Sequence, residues 1–431
     1  MHAERPILKR EATHDGHNVK RTTCCIVGGG PAGSVLALLL ARRGVNVSLL
    51  EAHLDFDREF RGDTIHPSVM EIMDQLGLAE RLLELRHTKV RSATVQTVAG
   101  PFTPLDFSHL KTKYPYITMM PQTSFLEFIT GEAERYPNFR LSMGARVREL
   151  VEEDGVVRGV RYEGEDGWRE VRAVLSVGAD GRGSRLRRLA GFEPVKTSPP
   201  MDVLWFKLPR EEDDPEGAMG RVGRGHIAIL LDRYEYWQAG YVITKGTFPE
   251  LRRGGIGALR RNFAQLIPEF ADRVEHLKDW KQVSLLSVES SRCPRWYKPG
   301  LLLIGDAAHV MSPVGGVGIN YAIQDAVVAA NMLAEPLKES QAQLKELDTR
   351  YLAAVQRRRE LPTRFIQVVQ TQIQRRVLAS VLRSEQPLAP PRWLRLLSRV
   401  PLVRSVPARI FGLGLWRVRV KKERSTHEHG S

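Results

Sequence analysis

Cysteines and long apolar runs are both scarce in this chain. Its 431 residues hold three cysteines, two of them adjacent at Cys24 and Cys25, and no CxxC or Cys/His cluster. This usage excludes a disulfide framework, predicts no metal site and favours the reducing cytoplasm. No apolar run reaches the roughly 18 residues that a membrane-spanning helix needs. The polar residues 1–17 lack the apolar core of a signal peptide and predict a loose leader.

Acidic residues are scarce in only one part of the chain. Residues 351–424 contain 17 Lys and Arg against three acids, whereas residues 1–350 are close to neutral. A neutral body argues against a nucleic-acid-binding face on the main domain. We therefore predict no nucleic-acid partner.

The basic C-terminal part, residues 351–431, has the pattern of amphipathic helices. Apolar residues recur at helical spacing at Leu361, Phe365, Val369, Ile373, Val377 and Val381. Between residues 390 and 424, arginines alternate with Trp, Leu, Phe and Val. Two interpretations stay open: this segment lies on the anionic inner face of a membrane, or its helices cap the main domain and leave their arginines in solvent.

A glycine-rich turn between two apolar strands predicts a dinucleotide site. The strand TCCIV (23–27) runs into Gly28-Gly29-Gly30-Pro31-Ala32-Gly33, and a helix and a second strand ending at Glu51 follow. In this G-x-G-x-x-G pattern, Gly28 permits the tight turn, Gly30 lets the backbone approach a pyrophosphate, and Gly33 lets helix and strand pack closely. Glu51 has the spacing of a carboxylate that accepts ribose hydrogen bonds. The motif alone does not distinguish NAD from FAD.

Two further turns, each an apolar strand that ends at an acid, favour FAD. VLSVGADGRGSRLR (174–187) contains Asp180, and LLLIGDAAHVMSPVGGVGINYAIQD (301–325) contains Asp306. FAD needs such distant contacts because its ribityl chain and flavin extend well beyond the first βαβ unit. Asp306 is placed to accept from a ribityl or ribose hydroxyl, and backbone N–H groups of 316–320 are placed to meet flavin or phosphate oxygens. Asp180 either contacts the cofactor or only caps its turn.

In this order the three motifs resemble the group A FAD-dependent monooxygenases, which share the para-hydroxybenzoate hydroxylase fold. The resemblance covers about Thr22 to Ala334. It implies tightly bound FAD, and it implies that Pro313, Gly315 and Gly316 act through their backbone in a loop over the flavin. The implied cofactor contacts are Gly28, Gly30, Ala32, Gly33, Glu51, Arg61, Gln122, Asp180, Asp306, Gly318, Ile319 and Asn320.

The fold implied by the resemblance is α/β, with interleaved domains. A Rossmann-type, glutathione-reductase-like FAD domain with a β-meander would use residues 18–92, 113–199 and 293–350. A β-rich substrate domain would use 93–112 and 200–292, and the basic helical region 351–431 would follow. Within the substrate domain, Trp205, Trp237 and Tyr241 are candidates to line a substrate cavity, although sheet core is the alternative for aromatic residues on strands.

The chemistry implied by the resemblance is oxygen insertion. NADH or NADPH would bind transiently and reduce the flavin, O2 would form a C4a-hydroperoxide, and one oxygen atom would pass to the substrate. A hydroxylation or epoxidation of an electron-rich, lipophilic aromatic is expected, for example a quinone precursor or a prenylated quinolone-like secondary metabolite. The sequence does not specify the choice of NADH or NADPH, the position oxygenated or the oligomeric state.

Three other functions use the same early motifs. An FAD-dependent reductase of an isoprenoid chain would suit a lipid-facing tail. A flavin halogenase shares the fold, but its tryptophan-x-tryptophan-x-isoleucine-proline signature is absent from this sequence. A non-enzymatic flavoprotein recruited by its basic tail is the third alternative.

Overall fold

The computed structural model describes residues 18–57, 63–97, 100–215, 217–223, 225–343, 345–384 and 401–421. The predicted leader (1–17) and Arg61 lie outside these residues. So do residues 385–400 and 422–431, which include most of the segment predicted to contact a membrane.

The first layer is an eight-stranded sheet. Its strands are β1 (Asn18–Val27), β2 (Val47–Leu50), β8 (Phe139–Ser142), β9 (Arg146–Glu153), β10 (Val156–Gly164), β11 (Gly167–Gly178), β19 (Tyr297–Lys298) and β20 (Leu301–Leu303). Five strands run parallel in the order β20-β11-β1-β2-β8, and β9, β10 and β11 form an antiparallel meander. Cys24, Cys25 and Ile26 in β1 are fully buried, as expected for a parallel strand covered on both faces.

Six helices pack against this sheet. They are α1 (Pro31–Arg42), α2 (Pro67–Gln75), α3 (Ala79–Glu84), α4 (Gln122–Glu134), α5 (Arg185–Leu189) and α8 (Gly318–Gln343). The largest hydrophobic core joins α1, α4 and α8 to one face of the sheet. The β1-α1-β2 unit is therefore a Rossmann-type crossover, and the predicted α/β fold class is confirmed.

A second, seven-stranded sheet lies beyond the first. Its order is β17-β13-β16-β15-β14-β5-β6. The strands are β5 (Ser92–Thr97), β6 (Gly100–Asp106), β13 (Met201–Pro209), β14 (Ala218–Gly223), β15 (His226–Asp232), β16 (Tyr236–Thr244) and β17 (Ser284–Leu286). One face packs against helix α7 (Ile256–Leu266), which follows the short helix α6 (Phe248–Arg253). The domain boundaries predicted from the sequence remain a prediction.

Two three-stranded ribbons connect these layers. One has the order β3-β7-β4, from β3 (Thr64–Ile65), β4 (Thr88–Val90) and β7 (Ile117–Met119). The other has the order β12-β18-β21, from β12 (Val195–Thr197), β18 (Ser290–Arg292) and β21 (His309–Val310). Both ribbons flank the loop that follows Asp306.

Helices make up most of the described C-terminal part, up to Gly412. Helix α9 (Thr349–Ile373) passes through one π-helical turn into α10 (Ala379–Arg383), and α11 spans Pro401–Gly412. The predicted apolar stripe is only partly correct, because Leu361 and Val377 are 58% and 53% exposed. The buried face of α9 is instead rich in glutamine, because the groups that it packs against include backbone carbonyls that accept hydrogen bonds.

Candidate functional site

The three sequence motifs lie against one another. A methyl group on Gly28, at φ +106°, would overlap the carbonyl of Ala179, which precedes Asp180. A methyl group on Gly305 would lie 3.2 Å from the Cβ atoms of both Ala32 and Ala322. The glycine turn, the Asp180 turn and the Asp306 turn therefore form one continuous surface at the carboxyl ends of β1, β11 and β20. In doubly wound folds this edge is the ligand-binding edge.

The glycine turn has the geometry of a pyrophosphate site. Gly30 is the N-terminal flanking residue of α1, and the space beside its α-carbon is open to 4 Å. Gly33 is in direct contact with the Gly28 carbonyl, and a side chain there would overlap it. Ala32 lies in the first turn and is 5% exposed. Because the first N–H groups of a helix have no partner within the helix, this end presents donors and a positive dipole to an anion.

Glu51 supports the same turn from the end of β2. Its Oε2 accepts from Gly29 N at 2.8 Å, and its Oε1 accepts from His53 N at 3.0 Å. The carboxylate is thus fixed beside the glycines, where a ribose of a bound dinucleotide would lie. The spacing of Glu51 from the glycines predicts a contact with a ribose, but it does not predict this hydrogen bond from Gly29.

Asp180 organises its own turn, which is the capping alternative left open by the sequence. Its carboxylate accepts from Ser184 Oγ at 2.5 Å, Arg185 N at 2.6 Å and Leu186 N at 3.1 Å. The predicted cofactor contact of Asp180 stays a prediction, because three donors do not fill the roughly four acceptor sites of a carboxylate. Arg187, the last residue of the motif, connects the Asp180 turn to the Asp306 turn, because its Nη1 donates to Ala307 O at 3.0 Å.

Asp306 lies in a one-turn 3₁₀ helix, Gly305–Ala307, and its side chain is 31% exposed. Arg182 Nε lies 3.4 Å from Asp306 Oδ2. The side chain thus reaches the surface shared by the three motifs, as the predicted contact with a ribityl or ribose hydroxyl requires.

A buried ionic cluster holds this turn from behind. Asp325 Oδ2 accepts from Gly305 N at 2.9 Å and from His309 Nε2 at 2.6 Å, while Oδ1 accepts from Arg359 Nε at 2.6 Å. None of the three side chains is more than 1% exposed. Burial alone would raise the pKa of the Asp325 carboxyl, but the charges of His309 and Arg359 outweigh it and hold that pKa below its usual range.

The loop after Asp306 is fixed to β3 through Asn320. Its Nδ2 donates to Thr64 O at 3.0 Å and Gly316 O at 3.1 Å, and its Oδ1 accepts from His66 N at 2.8 Å. Thr64 Oγ1 also donates to Gly316 O at 3.0 Å. The side chain of Asn320 is therefore used within the protein.

The predicted backbone roles in this loop remain a proposal. Gly318, Ile319 and Asn320 form the first turn of α8, where the backbone N–H groups have no intrahelical partner. Gly315 and Gly316 adopt φ +77° and +62°, and Pro313 O accepts from Gly316 N at 3.0 Å. These values belong to the left-handed region, which favours glycine.

Three glutamines, two in α9 and one in the π-helical turn after it, support the loop from the other side. Gln367 Nε2 donates to Ser291 O and Val310 O, and Gln370 Nε2 donates to Ser312 O and Val314 O at 2.9 and 2.7 Å. Gln374 Nε2 donates to Ser312 Oγ. The signal for this contact was present in the sequence as glutamines three and four residues apart, but polar helical positions are usually taken for a solvent face.

Helix α11 covers the loop. The ring of Phe411 lies directly against Gly315, and Phe411 O is 2.9 Å from His66 Nδ1. Because a carbonyl only accepts, Nδ1 carries the proton in this contact. Burial lowers the pKa of His66 to about 4, although the hydrogen bond to Phe411 raises it. The described part of the tail thus caps the domain, and Val418 and Val420 pack against the main core.

Gln122 begins α4, and its backbone N donates to Asp63 Oδ1 at 3.2 Å. It lies close to the segment that contains Arg61, but Arg61 itself is outside the described residues. Both cofactor contacts stay predictions.

The three substrate candidates separate onto two faces of the second sheet. Trp205 lies over Gly240 and packs in the cluster that includes Val203, Val242 and the loop residue Val314. Trp237 and Tyr241 each lie an odd number of residues from Val242 on β16, so they point to the opposite face of the sheet. Each is 1% exposed in the core beneath α7.

This placement favours the sheet-core alternative for Trp237 and Tyr241, and a substrate contact of either residue stays a prediction. Trp237 Nε1 donates to Asp214 Oδ2 at 2.7 Å, and Tyr241 Oη lies 2.6 Å from His226 Nδ1. Both side chains are fully used in packing and hydrogen bonding on the face turned away from the loop. Of the three, only Trp205 stands on the side of Val314.

The arrangement fits FAD. It offers a helix N-terminus over an open glycine turn, the Glu51 carboxylate at the end of β2, the partly exposed Asp306 carboxylate, and a second helix N-terminus after the loop. These are separate contacts for a pyrophosphate, a ribose, a polyol chain and a polar ring edge.

Comparison with known proteins decides the family. The model of the FAD binding domain family matches residues 21–367. The chain is also 35% identical to the 6-methylpretetramide 4-monooxygenase of Streptomyces rimosus, over 90% of this chain and 92% of that protein. The chain belongs to the group A FAD-dependent monooxygenases.

More distant relatives of this monooxygenase are consistent with that family. It is 28% identical to the 12-dehydrotetracycline 5-monooxygenase/anhydrotetracycline 6-monooxygenase of Streptomyces rimosus, over 70% of this chain but only 60% of that protein. The fold matches PqsL, a probable FAD-dependent monooxygenase from Pseudomonas aeruginosa, at a TM-score of 0.69 and 20% identity over 84% of this chain and 97% of that one. It matches the OxyS anhydrotetracycline hydroxylase from Streptomyces rimosus at a TM-score of 0.70 and 23% identity, over 91% and 76%.

No helix among the described residues of this monooxygenase combines the length and apolarity needed to cross a membrane. Contact of the tail with a membrane surface remains a prediction, because residues 385–400 are not described.

Proposed function

We propose that this monooxygenase uses NADH or NADPH and O2 to hydroxylate a polycyclic aromatic polyketide. The observation that carries the substrate class is its 35% identity to an enzyme named for 6-methylpretetramide, over 90% of this chain. This class takes the place of the quinone precursor or prenylated quinolone-like metabolite expected from the sequence. The general expectation of a lipophilic aromatic substrate is kept.

The proposed cofactor contacts follow the surface formed by the three motifs. The turn at Gly28–Gly33 would hold the pyrophosphate, Glu51 the adenosine ribose and Asp306 a hydroxyl of the ribityl chain. When bound, FAD supplies the redox chemistry that activates oxygen, which protein side chains do not provide.

The residues of the loop would hold the ring end of the cofactor. Backbone N–H groups of Gly318 and Ile319 point along the axis of α8 and would donate to polar ring atoms, with the helix dipole in the same sense. Asn320 and Thr64 fix the distance between this turn and β3, so the donors are positioned before the cofactor binds. Pro313, Gly315 and Gly316 would shape the wall between the ring and the substrate.

The substrate would lie on the Trp205 side of the second sheet. The cluster on this side joins Val203, Val242 and Val314 to the apolar side chains of Leu378 and Leu382. Phe411 and Ile410 extend the apolar surface across the loop. Such walls exclude water and suit the face of a flat aromatic molecule.

The test of the proposal is turnover with a defined substrate. Purified FAD-loaded protein, supplied with 6-methylpretetramide, NADPH or NADH and air, should consume reduced nucleotide faster with the substrate than without it. A product one oxygen heavier, identified by mass spectrometry, is the expected result. Simple phenols at the same concentration are the comparison, and equal turnover with them would remove the polycyclic substrate class.

A membrane contact through residues 390–424 is a separate proposal, based on the alternation of arginine with apolar residues. Co-sedimentation of the full chain with anionic liposomes should exceed that of a chain that ends before Pro390. Because α11 is part of the cap over the loop, a variant with Arg392, Arg395 and Arg399 changed to Gln is the second test. Equal soluble fractions for all three proteins would remove this proposal.

A further inference from the structure

Among the described residues, two arginines and no acid line a groove beside the β12–β18 ribbon. It lies between this ribbon and α9, has a volume of about 280 Å³, and includes Arg292, Arg364 and Val368. This volume is close to the lower end of the roughly 300–1,000 Å³ typical of small-molecule sites. The groove is separated from the surface formed by the three FAD motifs, because Gln367 stands between it and Val310 of the loop segment.

Arg292 is held in a fixed position, and among the described residues Gln367 accepts its one side-chain hydrogen bond. Its Nη1 donates to Gln367 Oε1 at 3.0 Å, and Gln367 is itself fixed through its Nε2 to two backbone carbonyls. Within the described part of the chain, no carboxylate lies within 4.0 Å of Arg292. A guanidinium has five N–H donors, so this side chain can still bind an acceptor.

The second arginine makes this position more electropositive. Burial and the charge of Arg364 lower the pKa of the Arg292 guanidinium, and Glu360 acts in the opposite direction. Arg364 has one weak ion pair with Glu360, at 3.8 Å, and its side chain is 59% exposed. An anion bound between two arginines at a half-buried site offsets their mutual repulsion more effectively than water does.

We propose that this groove binds a phosphate-class anion between Arg292 and Arg364. The polar residues Ser290, Ser291 and Thr197 also line the groove, with Thr197 Oγ1 donating to Ser290 O at 3.1 Å, while Val195 and Val368 border it with apolar surface. Two sources share this chemistry: free phosphate or diphosphate, and a phosphate group of the nicotinamide dinucleotide that donates electrons. The second source rests on the proposed function, and the first does not.

Binding of inorganic pyrophosphate to the FAD-loaded full chain tests the groove, because bound FAD occupies the other pyrophosphate site. Isothermal titration at constant ionic strength should show one site, and Arg292→Gln should weaken it about tenfold or more, as expected for loss of a charged hydrogen-bonded contact. Arg292→Lys should retain part of the affinity. Arg358→Gln, at an exposed arginine of the same helix, is the matched control and should leave the affinity unchanged.

Steady-state kinetics then identify the source. If the dinucleotide is the occupant, Arg292→Gln raises KM for the reduced nucleotide with little change in kcat, and pyrophosphate competes with that nucleotide. If free phosphate is the occupant, KM is unchanged while pyrophosphate binding is still lost in the variant. The groove is not an anion site if pyrophosphate does not bind, or if Arg292→Gln and Arg358→Gln bind it as well as the unchanged protein. This binding result is independent of whether the enzyme oxygenates any tested substrate.

Discussion

The ring of Phe411 in α11 rests on the α-carbon of Gly315, in the loop between β21 and α8. This contact explains why position 315 carries no side chain: its φ of +77° favours glycine, and a methyl group would overlap the Phe411 ring. The C-terminal helix is thus part of the wall above the loop. The tail and the site are one packed unit at this point.

Gly315→Ala should destabilise the protein and impair turnover. An L-residue in the left-handed region costs about 1–2 kcal/mol, and overpacking costs about 1–3 kcal/mol more. We expect a lower melting temperature and a reduced kcat. Gly131→Ala in α4 is the control, since nothing lies within 4 Å of a methyl group there. The double variant Gly315→Ala/Phe411→Val should recover part of the loss, and equal melting of Gly315→Ala and the unchanged protein would contradict the contact.

Trp205 and Trp237 should respond differently to truncation. Trp205→Ala is expected to raise KM for the aromatic substrate, because its indole lies on the sheet face that carries Val314. Trp237→Ala is expected to lower the free energy of unfolding by about 3–5 kcal/mol, as for large core residues. Steady-state kinetics and urea unfolding of both variants separate the two effects. A KM increase for Trp237→Phe, which keeps the core filled, would instead place Trp237 at the substrate.

These two tryptophans also show what the sequence can and cannot predict. The strand alternation and the three motifs predicted the FAD fold, because each depends on local pattern. Which face of the second sheet meets the loop depends on where α7 and α10 pack, and no pattern within β13 or β16 contains that information. Glu51 and Asp306 are predicted from their positions at strand ends, whereas the cluster of His309, Asp325 and Arg359 joins elements far apart in the chain.

Arg359→Met should cost about 3–5 kcal/mol of unfolding free energy, as expected when one partner of a buried ion pair is removed. The double variant Asp325→Asn/Arg359→Met should be more stable than Arg359→Met alone, because no uncompensated carboxylate remains. Since the folded pKa of Asp325 is below its unfolded value, its contribution is present above about pH 4 and is lost as the pH falls. Urea unfolding at pH 7 gives the comparison. An additive double variant would show that the two side chains are not coupled.

His66 should make the protein less stable in weak acid. Its pKa is lowered to about 4, so between about pH 6.5 and pH 4 the unfolded chain binds a proton that the folded chain does not. Stability therefore rises with pH in this window and is complete above it. The loss between pH 7 and pH 5 should be about 2 kcal/mol, since each pKa unit is worth about 1.4 kcal/mol.

His66→Asn removes the titrating group and should flatten this part of the pH profile. His276→Asn, at a histidine outside the loop region, is the matched control and should keep the slope of the unchanged protein. Urea unfolding at pH 5, 6 and 7 measures all three proteins. Identical slopes for His66→Asn and the unchanged protein would show that His66 is not held neutral.

The central claim, that this chain inserts one atom of O2 into an aromatic substrate, is tested most directly with isotopic oxygen. FAD-loaded protein is incubated with 6-methylpretetramide, reduced nicotinamide and ¹⁸O2, and the product is analysed by mass spectrometry. We predict one ¹⁸O atom in each product molecule and no product without oxygen. Product formed at the same rate without O2, or a product that takes its oxygen from water, would contradict the claim.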